Sequence, residues 1–343
     1  MRDIKDFRLE ELEGVLKDRG FLSFHAKQIF SWIYKKGAGS FEQMSDLSAN
    51  LRKRLKGDFY IYGLSVASEL RSCDGTEKLL FKLKDGNYIE GVIIPAEGRL
   101  TGCISSQVGC KFACGFCASG LSGFKRNLTA GEILEQILFL KTYAPENKLT
   151  HIVFMGIGEP LDNYDNVMKA ARIINSEYAF NIGARRITLS TNGIINGIEK
   201  LAGEKLQIKL SISLHAADDK TRSGLMPINK KYPLKKLIDA CKDYIEKTDR
   251  QVTFEYVLIK GVNSALKDAQ NLSKILKGLR LCKINLIPAN PIRELKIEPP
   301  NKLDILLFRD YLLKQGMNVT LRKSRGIDIE AACGQLRLKY EEK

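Results

Sequence analysis

Cys110-Lys-Phe-Ala-Cys114-Gly-Phe-Cys117 puts three thiols in one short stretch at C-x3-C-x2-C spacing. Cysteine sulfur is the ligand that iron–sulfur clusters take, and three thiolates from one loop hold three irons of a cubane 4Fe–4S cluster. The fourth iron then has no protein ligand and is open to a small molecule. An electron delivered beside a bound sulfonium cleaves it to a radical. The spacing therefore indicates catalysis, not only electron storage. The alternative is a zinc knot, which takes four ligands, usually as two pairs at C-x2-4-C or H-x3-5-H spacing. Here one triplet stands without a nearby histidine, since only His25, His151 and His215 exist, and the spacing favours the cluster.

Outward from this stretch, strand and helix patterns alternate. Strand patterns cover 100–105, 150–155, 186–190, 207–214, 252–258 and 283–287. The first helix opens with the capping box Thr129-Ala-Gly-Glu132 and continues through Ile133, Leu134, Ile137 and Leu138. Other helix patterns cover about 163–175, 194–202, 234–247, 266–277 and 301–315. Six strand–helix units predict a parallel α/β architecture. No dinucleotide-type Gly-rich turn follows the first strand, which favours a partial (β/α)6 barrel over a doubly wound sheet. A last strand at 319–322 precedes the tail Gly326-Ile-Asp-Ile-Glu-Ala-Ala-Cys-Gly-Gln335.

Ahead of the barrel, residues 1–58 read as a small helical domain. Leu9, Leu12, Val15 and Leu16 recur at helical spacing, as do Ile29, Phe30, Ile33 and Tyr34. Ser48 is the expected N-cap of a basic helix through Lys56. Such a module is either a nucleic-acid clamp or a packing subdomain. Residues 59–98 form a β-hairpin connector. Tyr60, Tyr62, Leu64 and Val66 alternate, and Asp85-Gly86 marks a hairpin turn between 78–83 and 88–94. Glu90 shares one face with Tyr88, Val92 and Ile94 in a strand that is apolar on both faces, so it is either paired or functional. The barrel and its C-terminal tail take 99–343.

The 343 residues and 44% hydrophobic content support a sizeable core. No apolar run reaches membrane-spanning length, and Met1-Arg-Asp-Ile-Lys-Asp lacks the apolar core of a signal peptide. A cytoplasmic protein with no membrane partner is expected. Eight cysteines then indicate metal or redox use in a reducing compartment, not a disulfide scaffold. Lys and Arg exceed Asp and Glu by 55 to 40, a net +15, which points to a polyanionic partner such as nucleic acid. The basic residues cluster at Arg52-Lys-Arg54-Leu-Lys56, at Lys230-Lys231 with Lys235-Lys236, and at Arg322-Lys323-Ser-Arg325.

Barrels place functional residues where strands end. Four such ends are polar: Met155-Gly-Ile-Gly158-Glu159-Pro160, Leu189-Ser190-Thr191-Asn192-Gly193, Ser211-Ile-Ser213-Leu-His215 and Ile287-Pro-Ala-Asn290-Pro291. Together with the cysteine stretch they suggest a pocket for an amino-acid-bearing cofactor. Cys73, Cys241 and Cys282 read as incidental thiols. Cys103 and Cys333 are either spare or a redox pair.

At this point the chain resembles a known family. The triplet is that of the radical S-adenosylmethionine enzymes. The wider set is similar to the bacterial methyltransferases that modify carbon 2 of adenine in 23S rRNA and tRNA. It comprises Glu90-Gly-Val-Ile-Ile-Pro95, Cys103-Ile-Ser-Ser-Gln-Val-Gly-Cys110, Gly156-Ile-Gly-Glu-Pro160, Ser190-Thr-Asn-Gly193, Ser213-Leu-His215-Ala, Met226-Pro-Ile-Asn-Lys-Lys-Tyr232, Asn285-Leu-Ile-Pro-Ala-Asn-Pro291 and Arg322-Lys-Ser-Arg-Gly-Ile-Asp-Ile-Glu-Ala-Ala-Cys-Gly-Gln-Leu336. It runs from about residue 20 to the end. A sister group methylates carbon 8 and confers antibiotic resistance; Gly158-Glu-Pro, Ile93-Ile-Pro and Ile287-Pro-Ala-Asn favour carbon 2. A non-catalytic, metal-stapled RNA-binding protein is the alternative of a different class.

The resemblance implies one 4Fe–4S cluster on Cys110, Cys114 and Cys117 and two S-adenosylmethionines per turnover. One methylates Cys333 by displacement. The other, cleaved at the cluster, gives a radical that takes hydrogen from methyl-Cys333, and the carbon radical adds to adenine. Glu90 is then the implied base, and Cys103 releases the adduct by forming a disulfide with Cys333. Gly158, Glu159, Ser190, Ser213, Leu214, His215 and Asn290 would line the S-adenosylmethionine site. The implied partners are 23S rRNA, tRNA and a flavodoxin- or ferredoxin-type electron donor, acting on a monomer.

Overall fold

The computed structural model describes residues 1–120, 123–144, 148–290, 297–323 and 325–329. The chain begins with strand β1 (Arg2–Asp3) and helices α1 (Leu9–Lys17), α2 (His25–Phe30) and α3 (Ala49–Asp58). Ser48 caps α3 as expected, its hydroxyl accepting from the Leu51 N–H. Strand β2 (Phe59–Tyr60) returns to pair in parallel with β1. Strands β3 (Ser65–Arg71), β4 (Glu77–Lys82) and β5 (Tyr88–Ala96) form an antiparallel meander, with Gly86 at φ +84° in the turn before β5.

From β6 (Arg99–Cys103) the chain runs through β7 (Gln107–Gly109), β8 (Phe124–Asn127), α4 (Ala130–Tyr143), β9 (His151–Phe154), α5 (Tyr164–Asn175), β10 (Ile187–Thr191), α6 (Ile195–Ala202), β11 (Lys209–Ser213), α7 (Asp219–Leu225), α8 (Leu234–Thr248), β12 (Val252–Leu258), α9 (Leu266–Leu276), β13 (Cys282–Pro288), α10 (Lys302–Lys314) and β14 (Val319–Leu321). Among the described residues, ten strands make one sheet in the order β14-β13-β12-β11-β10-β9-β6-β5-β4-β3. The run from β6 to β14 is parallel, each strand beside its successor, as short helical crossovers require. This is the expected partial barrel, extended on the β6 side by the antiparallel meander, so the connector belongs to the barrel sheet.

The sheet edges β3 and β14 do not pair. The C-terminal segment ties them instead. The Gly326 N–H donates to the Asp74 carboxylate at 2.9 Å, and Asp328 accepts from Ser72 Oγ at 2.5 Å and from the Cys73 N–H at 3.0 Å. Residues 72–74 form the turn after β3, so this strap carries the chain from one edge to the other.

One expectation changes. The alternation from Tyr60 to Val66 is not one strand, because α4 takes its middle. Glu135, fully buried, accepts from the Gly63 and Leu64 N–H groups at 2.8 Å each and lies 3.2 Å from Lys5 Nζ. The hairpin of β7 and β8 and the short helix α7 were not legible as elements. The N-terminal helices also share one apolar core with the barrel, from Ile4, Leu16 and Phe30 through Ile137 to Phe254 and Phe308.

Candidate active site

Cys110, Cys114 and Cys117 lie on the connection between β7 and β8, an antiparallel hairpin standing on the barrel rim. The backbone fixes this loop closely. Gly109 has φ +74°, and a Cβ there would meet the Gly123 carbonyl oxygen at 1.8 Å, so only glycine fits. The Cys110 N–H donates to Gly123 O at 3.0 Å, the Cys117 N–H to Cys114 O at 3.0 Å, and the Gly115 N–H to Leu225 O, at the end of α7, at 2.8 Å. The thiols are partly exposed and close enough to repel one another as thiolates. Burial, and then that repulsion, pushes Cys114 well up; burial pushes Cys110 up to about 12. Cys110 and Cys114 are protonated at neutral pH until a metal displaces the protons.

The loop borders a cavity of about 250 Å³ lined by Cys117, Phe116, Glu90, Cys103, Lys78, Asn290 and Arg322 among others. Register explains the grouping. Cys103 on β6 pairs with Val92 on β5, two residues from Glu90, so both side chains face inward. Glu90 is 3% exposed, and Lys78 Nζ lies 3.5 Å from its Oε1. The ion-pair reading of Glu90 and its place in the cavity therefore hold together. Ser105 Oγ donates to Glu90 O at 2.7 Å and accepts from the Ile157 N–H at 2.9 Å, joining the Glu90 strand to the glycine loop. Burial pushes the Cys103 thiol up to about 11, partly offset by the Arg322 charge. Cys333 lies outside the described residues; the strap at 326–328 is the described chain leading toward it.

The other expected residues sit at the strand ends. Gly158 has φ +104°, and a Cβ there would fall 2.5 Å from Gln107 Cβ. Gln107 in turn takes the Glu159 N–H on Oε1 at 2.9 Å. Glu159, buried, accepts from the Asn192 N–H at 2.7 Å and the Leu161 N–H at 3.0 Å. Its carboxyl rises to about 7, by burial against those hydrogen bonds. Ser190 and Ser213 are half-buried near the ends of β10 and β11, Leu214 is buried, and Asn290 lines the cavity. His215, at φ +56°, accepts the Val257 N–H on Nδ1 at 3.1 Å and meets the Phe116 ring edge-on at 4.6 Å. Burial, then the Arg222 charge, lowers it to about 3, so it is neutral with its proton on Nε2.

Arg222 was missed. It lies on α7, fully buried, and donates to the carbonyls of Leu214 (3.1 Å), Asn192 (2.8 Å) and Ser213 (3.2 Å) and to Asn229 Oδ1 (2.9 Å). Burial lowers it to about 10, so it is charged at neutral pH. Its only sequence signal was a place just ahead of Met226-Pro-Ile-Asn, within a stretch with no apolar period.

The donor set fits a cluster. Cys110, Cys114 and Cys117 stand on one hairpin loop, and a cubane takes each thiolate on a separate iron. Asn192 Oδ1 and Ser119 Oγ are buried without a hydrogen-bond partner near the cysteine loop, leaving polar capacity for a bound molecule.

A cysteine-loop hairpin on the rim of a partial parallel barrel defines a radical S-adenosylmethionine enzyme, and the model of the radical SAM superfamily matches residues 104–272. The model described as the ribosomal RNA large subunit methyltransferase N-terminal domain matches residues 2–61. The chain is 48% identical over 341 residues to the probable dual-specificity RNA methyltransferase RlmN of Clostridium perfringens, covering 99% of this chain and 98% of that one. It is 46% identical over 340 residues to the protein so named in Staphylococcus aureus, covering 98% and 93%. It also matches the crystal structure of a radical SAM methyltransferase from Sphaerobacter thermophilus, with TM-score 0.93 and 44% identity over 98% of this chain and 99% of that one. The chain belongs to the RlmN family of dual-specificity RNA methyltransferases.

Proposed function

We propose that this enzyme methylates carbon 2 of one adenosine in the peptidyl transferase centre of 23S rRNA and of adenosine 37 in some tRNAs. It does so through a methyl-cysteine and a covalent protein–RNA adduct. The observation that carries the reading is the cavity itself. Glu90 and Cys103 line it beside Cys117, and the strap leading toward Cys333 is tied down at the turn after β3. Cys110, Cys114 and Cys117 would hold a 4Fe–4S cluster, and Gly158, Glu159, Ser190, Ser213, Leu214, His215 and Asn290 would hold S-adenosylmethionine. When bound, the cluster supplies the electron that turns S-adenosylmethionine into a hydrogen-abstracting radical.

The protein's own groups do the rest. Cys333 carries the methyl carbon to the base as a thioether. Addition of the carbon radical leaves one unpaired electron on the adduct, which would pass to an acceptor such as the oxidised cluster, and Glu90 takes the proton from carbon 2, within a cavity whose Lys78 keeps its charge compensated. Cys103 gives up its thiol proton as its sulfur attacks the Cys333 sulfur. An S–S bond forms as the S–CH2 bond breaks, and the electron pair left on carbon takes a proton to give the methyl group. A flavodoxin- or ferredoxin-type protein supplies the electron to a monomeric enzyme in the cytoplasm. Among the described residues no helix is long and apolar enough to cross a membrane.

Cys103→Ala tests the division of labour. It should still methylate Cys333 and still form the carbon–carbon bond, then stall as a nuclease-sensitive shift on a denaturing gel. Normal turnover by this variant, or an adduct through Cys103, would overturn the roles.

A further inference from the structure

Arg222 is a buried charge that touches no carboxylate directly. Arginine is rarely buried completely unless paired, and an uncompensated buried guanidinium is costly. Here the guanidinium is 0% exposed, and none of its hydrogen-bond acceptors is ionised: they are three carbonyls and an amide oxygen. Among the described residues no Asp or Glu lies within ion-pairing distance of it. The groups whose negative charge favours its ionised form are Cys114 and then Asp219, and Asp219 is joined to it only through Asn229, whose Nδ2 donates to Asp219 Oδ1 at 2.9 Å. Cys114 and Arg222 are held together by backbone, because the Gly115 N–H is bonded to Leu225 O in the helix that carries Arg222.

We infer that Arg222 is the built-in countercharge of the iron–sulfur cluster, holding the anionic assembly behind Cys114 and raising its reduction potential. The inference rests on reading Cys110, Cys114 and Cys117 as the cluster ligands. The charge count gives it direction. Three thiolates on an oxidised 4Fe–4S core of charge +2 make a net −1. One electron from the donor brings it to −2, with no bond made or broken. A fixed positive charge nearby therefore stabilises the reduced state more than the oxidised one. Three of the four hydrogen bonds tie the guanidinium to the strand ends carrying Asn192, Ser213 and Leu214, and the fourth goes to Asn229. The charge is thus immobile and cannot be replaced by water or counter-ion when the site is dry.

The experiment is a potentiometric titration, followed by paramagnetic resonance, of the reconstituted enzyme without S-adenosylmethionine, comparing wild type, Arg222→Gln and Arg222→Lys. Circular dichroism of the iron-free proteins is recorded in parallel. Arg222→Gln should be harder to reduce by on the order of tenfold in the equilibrium constant, ~59 mV for a one-electron couple. Arg222→Lys should stay within about threefold of wild type, because it keeps the charge. An iron-free Gln variant that is folded but takes up no cluster, while the Lys variant does, would also support the inference. A fully loaded Gln variant with the wild-type potential would overturn it. So would a Gln variant that fails to fold even without iron, which would assign Arg222 to the scaffold alone. A wild-type protein that binds no cluster defeats the reading of the three cysteines instead, a result distinguishable from all of these.

Discussion

His215 shows how much one residue on this rim has to satisfy. Its backbone is left-handed, its Nδ1 is committed to the Val257 N–H, its carbonyl accepts from Asn263 Nδ2 at 2.7 Å, and its ring packs on the cysteine loop. Burial, and then the Arg222 charge, disfavour a second proton, so its pKa falls to about 3, and that proton on Nδ1 would also break the bond from the Val257 N–H. The unfolded imidazole binds a proton below about pH 6.5, while the folded one stays neutral to about pH 3. Its contribution is therefore intact above pH 6.5 and is lost as pH falls through that window. In urea titrations of the iron-free protein, His215→Asn should lose less stability than wild type between pH 6.5 and 4.5, by on the order of 2 kcal/mol. Asparagine suits the test because it tolerates the left-handed backbone. Parallel pH profiles would show that His215 titrates normally. At this scale the cysteine triplet was legible because its ligands are close in sequence. Arg222 was not, since its acceptors come from three separate rim segments and none lies within the helix that carries it.

At the scale of elements, α4 does more than cross from β8 to β9. Its capping box is present, with Thr129 Oγ1 accepting from the Glu132 N–H at 3.2 Å and the Glu132 carboxylate accepting from the Thr129 N–H at 3.0 Å. Its polar residues Glu135 and Gln136 are nonetheless fully buried. Gln136 brackets Ser105, accepting from its N–H at 2.8 Å and donating to its carbonyl at 3.0 Å, which holds the chain leaving β6 toward the cysteine loop. Glu135 secures the N-terminal segment through Gly63, Leu64 and Lys5. Glu135→Ala would leave two N–H groups without acceptors and buried Lys5 with Asp3 alone, at 2.8 Å, a loss of about 2–3 kcal/mol. The melting temperature should drop, and limited proteolysis should cut near residues 61–64; an unchanged melt and digest would remove Glu135 from this role. The helix was legible from its cap and apolar period. Its inward polar face was not, because a lone Glu in an apolar run reads the same whether its partners are water or a distant backbone.

For the whole molecule, the net charge of +15 and RNA as substrate belong together. Each phosphate neutralised releases counter-ions, so affinity falls with salt. Binding of an RNA stem-loop carrying the target adenosine should weaken about tenfold or more between 50 and 200 mM salt, the loss expected for even two or three phosphate contacts. Filter binding over that range measures it, and a flat response would place recognition in uncharged contacts.

The sequence by itself determined the strand–helix alternation, the cysteine triplet and the polar strand ends, since each rests on neighbours a few residues apart. It also determined the hairpin that carries Glu90, through the Asp85-Gly86 turn. Tertiary structure decided what those pieces face. It put Glu90 and Cys103 on one wall through strand register, bound Glu90 to Lys78, and turned an apparent strand at 61–64 into a dock for Glu135. It also carried the C-terminal strap across to Ser72 and Asp74, more than 250 positions away in the chain. These choices depend on contacts whose partners are remote in sequence, and local propensity holds no record of them.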